Sequence, residues 1–108
     1  MVSKEQIFTF KSSADKIFEL NDFTSATILY FKTWFAIQDY ILLKKIGYAP
    51  KDHTERFKLL KKEFPEEYVV IDMEFNTYRN TYSRIISKET CERIKNLVEN
   101  AIRNNKIN

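Results

Sequence analysis

The sequence predicts an all-α protein, an up-and-down four-helix bundle with one short extra helix. Turn-forming residues are scarce, since the 108 residues include one Gly and two Pro, too few for the frequent tight turns of an all-β fold. Hydrophobic residues make up 44% and charged residues 31% of the chain, which is typical of a folded globular domain. Helix-capping residues and apolar residues at helical spacing recur throughout. We therefore expect a single helical domain over residues 1–108.

The first two helices are predicted from the residues at their ends. Ser3 and, three residues on, Gln6 form a capping box in front of an apolar stripe. Asp22 can cap a long second helix that starts near Phe23 and ends at Gly47, a residue suited to the left-handed turn after a helix. The apolar side chains of this helix cover more than half of its circumference, so it needs neighbours on several sides. We expect it to be the buried central helix.

Three further helices follow, joined by short connections. Asp52 and Glu55 form a second capping box, which predicts a short third helix. Pro65 stops that helix and suits the first turn of a fourth, expected to run to about Tyr82. Ser87 caps the last helix, and the polar tail after it is expected to fray. Short connections place successive helices antiparallel, which gives the up-and-down order. The apolar stripe of the last helix is Cys91, Ile94, Val98 and Ala101.

Composition argues against several classes of function. The net charge of +3 comes from 18 basic and 15 acidic residues, unlike the strongly basic surface of a dedicated nucleic-acid binder. Cys91 has no second cysteine to pair with and is expected to be a buried thiol. One histidine and one cysteine provide no zinc-like ligand pair, so we expect no metal and no cofactor. The N-terminus lacks a secretory signal and no segment is apolar enough to span a membrane, which predicts a cytoplasmic location.

Three local patterns together resemble the HEPN family, the higher eukaryotes and prokaryotes nucleotide-binding domains. The long apolar second helix ends in Gly47, as the family's long helix ends in a glycine. The run from Pro50 through Lys51 and His53 resembles the lysine and histidine segment that opens the family's short helix. The pair Arg79-Asn80 resembles the start of the family motif, an arginine, a polar residue and, a few residues later, a histidine. The resemblance covers nearly the whole chain.

The resemblance implies a homodimer in which the two motif copies face each other across a two-fold axis and form a cleft that cleaves RNA without a metal. Where the motif's histidine would fall, this sequence has Arg84, Ile85 and Ile86, and its only histidine is His53 on another helix. An arginine stays charged near neutral pH, so Arg84 cannot replace histidine as acid or base. We therefore assign no catalytic residue and expect a binding role, not an enzyme.

The expected ligand is a nucleotide or RNA phosphate, and the expected partner is a minimal nucleotidyltransferase, as in toxin–antitoxin pairs related to the family. Arginine binds phosphate through planar N–H donors, and a dimer doubles them. An exposed tyrosine three residues after Arg79 can stack on a base. The alternative is that both arginines are surface or interface residues paired with acidic residues such as Asp72 or Glu74. The predicted ligand-binding residues are Arg79, Asn80, Tyr82 and Arg84.

Lys51 and His53 are secondary candidates. His53 follows the Asp52 cap in the first turn of the third helix, where the positive end of the helix dipole disfavours the imidazolium, so it can act as a neutral base. A structural role is the other interpretation. Two alternative functions remain: a metal-independent ribonuclease with a non-standard site that includes His53, and a ligand-free bundle that docks a partner protein.

Overall fold

The computed structural model describes residues 2–108. Those residues form five helices and no strand, which confirms the predicted all-α class. The helices are α1 (Lys4–Glu19), α2 (Phe23–Ile46), α3 (His53–Glu63), α4 (Pro65–Asn80) and α5 (Lys88–Asn104).

The helix ends lie where the capping residues predict them. The side chains of Ser3, Asp22, Asp52 and Ser87 each accept a hydrogen bond from a backbone N–H in the first turn of the following helix. Gly47 ends α2 with φ +87°, the left-handed conformation that glycine adopts without a steric cost. These hydrogen bonds are local, since each joins residues within one turn of the helix start.

Helix α2 is the centre of the molecule. It contacts each of the other four helices, and α3 with α4 is the other closely packed pair in the described part of the chain. This arrangement follows from its wide apolar arc, which buries residues on every side. The largest fully buried side chains of α2 are Tyr30, Phe31, Trp34, Ile37, Gln38 and Leu42.

Side-chain contacts give the relative directions of the helices. Tyr30 donates a hydrogen bond of 2.5 Å to Asp15 across the antiparallel pair α1 and α2. The start of α5 lies near the start of α2, where the backbone N–H of Ile86 donates to Thr24 at 2.8 Å. The end of α5 lies near the end of α2, because Ile107, just after α5, and Ile41 of α2 border the same pocket. Helix α5 therefore runs parallel to α2 and packs closely on it, a pairing that chain order alone did not predict.

Two expectations are corrected, one about the end of α4 and one about the C-terminal tail. Helix α4 ends at Asn80, two residues before the expected end at Tyr82, and the chain continues in a turn. The polar tail is not frayed: Ile107 is 4% exposed, and its backbone N–H donates to the carbonyl of Ile102 at 3.0 Å. A single apolar side chain near the C-terminus is enough to fold the tail back, since its burial offsets the ordering of a few residues.

No helix of residues 2–108 is long and apolar enough to cross a membrane. Helix α2 is the longest, and its charged and polar residues lower its hydropathy below that of a membrane span.

Candidate functional site

The four predicted ligand-binding residues lie together at the end of α4 and in the connection to α5. Arg79, Tyr82 and Arg84 are exposed, and Asn80 is half-buried. The connection is fixed at its far end, because Ile86 is buried and its backbone is bonded to Thr24. This attachment leaves the turn before Ile86 projecting from the molecular surface.

Neither Arg79 nor Arg84 forms an ion pair or a side-chain hydrogen bond within the described chain. The acidic residue Glu74 is taken by Arg93, whose Nε and Nη2 donate to the two Glu74 oxygens at 3.1 and 3.0 Å. Asp72 is exposed and also lacks a basic partner in this part of the chain. Within one subunit, then, the alternative pairing of these arginines with Asp72 or Glu74 is not found.

Tyr82 is 73% exposed, and its ring packs against that of Tyr78 and not against Arg79. The two hydroxyl oxygens are 2.7 Å apart and the two rings meet edge to face at 5.5 Å. Burial, together with the hydrogen bond to Tyr82, raises the pKa of Tyr78 to about 12. Tyr78 thus positions the exposed Tyr82 ring through a hydrogen bond and an edge-to-face contact.

Tyr78 also connects this surface to His53, the secondary candidate on α3. The His53 ring lies 5.7 Å from that of Tyr78 and 4.7 Å from that of Phe35. Lys51 is exposed just before α3, and its backbone N–H donates to Glu55 at 3.2 Å. The structure brings His53 and Tyr82 to the same end of α4, although they are far apart in sequence.

The hydrogen bonding of His53 defines which of its nitrogens is free. Arg56 donates to Nδ1 of His53, and because arginine has only donors, Nδ1 must be the acceptor. The proton of the neutral ring is therefore on Nε2. Burial, followed by the charge of Arg56, lowers the pKa of His53. Nε2, the nitrogen that is not bonded to Arg56, can therefore donate one hydrogen bond. It is a poor general base, because it already carries the proton.

Arg56 is itself held by Asp39. Its Nε and Nη2 donate to the two carboxylate oxygens at 2.6 and 3.0 Å, and Arg56 is 8% exposed. This bidentate pair joins α2 to α3 and fixes the position of His53. It also neutralises Asp39 at the edge of the neighbouring pocket.

A pocket of about 230 Å³ lies between α1, α2, α3 and α4 beside these residues. Lys32 and the His53 ring supply a cation and an N–H donor, and Tyr78 connects the pocket to the Tyr82 surface. With Asp39 neutralised, donors predominate, so the pocket suits an anionic group. Its lining residues are Gln6, Phe10, Lys32, Phe35, Ala36, Asp39, His53 and Tyr78.

The exposed face of α4 carries apolar side chains that no other helix covers. Met73 is 75% and Val69 52% exposed, and Ile85 beyond the helix is 94% exposed. Val69 and Met73 are one helical turn apart and therefore adjacent on the surface. These two adjacent side chains form a small exposed apolar patch on α4.

Residues 2–108 bring together no group of three His, Cys, Asp or Glu side chains able to hold a metal ion. Cys91 is a buried free thiol, as its place on the apolar stripe predicts, and burial raises its pKa. No protein-family model, curated protein or solved structure matches the chain.

Sequence patterns did not identify Lys32, the Asp39–Arg56 pair or the contact between Tyr78 and His53. The contact of Tyr78 with Tyr82 joins residues one helical turn apart, whereas its contact with His53 depends on the packing of α3 against α4. Asp39 and Arg56 belong to different helices, and only their spacing in three dimensions identifies them as partners. A charged residue inside an otherwise apolar helix, as Asp39 is, was the one available signal.

Proposed function

We propose that the protein is a HEPN-like homodimeric domain, an up-and-down four-helix bundle with a short extra helix, that binds the phosphate of a nucleotide or RNA. The binding surface consists of Arg79, Asn80, Tyr82 and Arg84. It lacks the family's catalytic histidine and so holds its ligand without cleaving it. A minimal nucleotidyltransferase of the toxin–antitoxin type is an alternative occupant of the same surface.

One observation carries this proposal: two arginines without acidic partners flank a fixed, exposed tyrosine. Glu74, one of the acidic residues that the alternative interpretation pairs with them, binds Arg93 instead. The guanidinium donors can bind a phosphate in a bidentate manner, while the Tyr82 ring offers a face for a base. The pocket beside His53 continues the same donor-rich surface through Tyr78.

The homodimer is supported by the distribution of charge along α4. Glu66 lies in its first turn and Arg79 in its last, with the exposed Val69 and Met73 between them. Two copies packed antiparallel about a two-fold axis near the middle of α4 therefore set acidic against basic ends.

Isothermal titration calorimetry with ATP and with a short single-stranded RNA tests the ligand. Arg79→Ala and Arg84→Ala are each expected to weaken binding by about tenfold or more, because each removes a charge-assisted hydrogen bond. Arg103→Ala removes an exposed arginine from the last turn of α5 and is the matched control. Equal affinities for Arg79→Ala and the control would refute the assignment.

Two other functions are distinguished by separate measurements. A ribonuclease that relies on His53 predicts cleavage of RNA in EDTA, and the cleavage should disappear in His53→Gln. The half-buried position and lowered pKa of His53 argue against it. A ligand-free interaction bundle is favoured by the exposed apolar face of α4. This function predicts that the protein binds neither ATP nor RNA. It also predicts that the protein still forms a protein–protein contact through the α4 surface that includes Met73.

A further inference from the structure

Trp34 has a buried hydrogen-bond donor without a partner. Its side chain is 1% exposed, and its Nε1 makes no hydrogen bond to any described residue. Buried donors in folded proteins are nearly always bonded, because leaving one unmet costs free energy. The indole borders a pocket of about 180 Å³ between α4 and α5. The pocket is the place from which an acceptor can reach this N–H.

We call this pocket, together with the larger one of about 480 Å³ that adjoins it, the α4–α5 cleft. The two share Glu67, Val70 and Asn104, so they form one continuous depression far from the end of α4. The inner part has an apolar floor and a polar rim. Its lining residues are Trp34, Glu67, Val70, Leu97, Asn100, Ala101 and Asn104.

Glu67 faces the cleft with an incompletely bonded carboxylate. Asn105 donates to its Oε1 at 3.4 Å, a long contact, and the Trp34 N–H lies close enough to act on the Glu67 pKa but does not meet the geometry of a hydrogen bond. Burial raises the pKa of Glu67. A carboxylate with one long hydrogen bond and an indole N–H without one thus border the same space, and one hydroxyl group can serve both by accepting from Nε1 and donating to the carboxylate.

The outer part of the cleft is acidic. Glu63, Glu66 and Glu67 all border it. Lys45 pairs with Glu63 at 3.6 Å, whereas no basic side chain of the described chain pairs with Glu66 or Glu67. Two carboxylates without cations favour a positively charged group on any ligand that enters.

We propose that the α4–α5 cleft binds a small hydroxylated amine, whose hydroxyl bridges Trp34 Nε1 and Glu67 and whose ammonium faces Glu66. The inner pocket, at about 180 Å³, has room for a short amino alcohol. Apolar contact of the methylene groups with Val70, Leu97 and Ala101 completes the fit. This site does not depend on the anion-binding surface at the end of α4.

The protein has a single tryptophan, so its fluorescence reports directly on the cleft. Titration with 3-amino-1-propanol is expected to change Trp34 emission saturably in the millimolar range, as so small a ligand allows. Propylamine and 1-propanol, which each lack one polar group, are expected to bind roughly fivefold more weakly. Equal affinity for all three compounds would overturn the proposal.

Two variants separate a ligand from simple solvation of the cleft. Glu67→Gln keeps the shape but removes the charge and should weaken aminopropanol binding by about tenfold; Glu89→Gln, an exposed glutamate in the first turn of α5, should not. Trp34→Phe, followed by calorimetry, should abolish the preference for the amino alcohol over propylamine. A wild-type protein without saturable change, or Glu67→Gln binding as tightly as Glu89→Gln, would mean that water alone occupies the cleft.

Discussion

Gln38 is a buried polar residue whose side-chain amide makes no hydrogen bond in the described part of the chain. Its side chain is fully buried in α2, and neither Nε2 nor Oε1 has a hydrogen-bond partner among residues 2–108. We expect Gln38→Met, which keeps the length of the side chain, to raise the free energy of unfolding by about 1–2 kcal/mol. Urea denaturation measures the change.

Thr33→Val is the comparison for that experiment. The Thr33 hydroxyl is buried on the same helix but donates to the carbonyl of Leu29 at 2.8 Å. We expect this variant to be unchanged or to lose up to about 1 kcal/mol. If Gln38→Met is instead destabilised as much as Thr33→Val, Gln38 must have a partner, such as a buried water.

His53 gives the protein a dependence of stability on pH. Its pKa is lowered in the folded chain from an ordinary value of 6.5, first by burial and then by Arg56, with Asp39 and Asp52 opposing. As pH falls below 6.5 the unfolded chain binds the proton first, so stability decreases until the folded pKa is reached. Below that pKa the contribution stays constant.

Urea denaturation of wild type and His53→Phe across this pH range tests the effect. As the pH is lowered, the free energy of unfolding of wild type should decrease relative to that of His53→Phe. Glu67, with a raised pKa, acts in the opposite direction, and comparing the two proteins removes its contribution. A difference that does not vary with pH would show that His53 titrates normally in the folded protein.

At the level of elements, the molecule depends on long-range contacts that attach helix ends to α2. Asp39 on α2 holds Arg56 on α3, and Thr24 on α2 holds the backbone at Ile86 before α5. Lys11 of α1 bonds both Asp15 and, on α5, Glu99 at 2.8 and 3.0 Å. These contacts join the outer helices to α2 or to one another and so fix where the candidate site lies.

Ile107 has the corresponding role at the C-terminus. It is 4% exposed and belongs to the main core cluster, although it lies beyond α5. We expect Ile107→Ala to lower the free energy of unfolding by about 2–4 kcal/mol, because it removes buried apolar contacts. Thermal unfolding measures the loss. Ile85→Ala is the control, since Ile85 is 94% exposed; similar melting temperatures for both variants would contradict the burial of Ile107.

At the scale of the whole molecule, the proposed homodimer predicts a specific effect of charge on α4. We expect wild type to have twice the mass of one chain in light scattering and Met73→Asp to be monomeric, because a buried unpaired carboxylate is costly at an interface. Leu20→Asp changes a residue of almost equal exposure, 77% against 75%, outside α4. It should remain dimeric. If wild type stays monomeric at high concentration, the proposed two-fold cleft is refuted.

The sequence by itself determined the five helices and where they begin, because caps and apolar spacing act within a few residues. Ser3, Asp22, Asp52 and Ser87 all cap as expected, and the stripe of α5 is buried as predicted. Tertiary structure alone decided the parallel packing of α5 on α2, the contact of His53 with Tyr78 and the cleft beside Trp34. Those features depend on contacts between residues far apart in the chain, which no local pattern encodes.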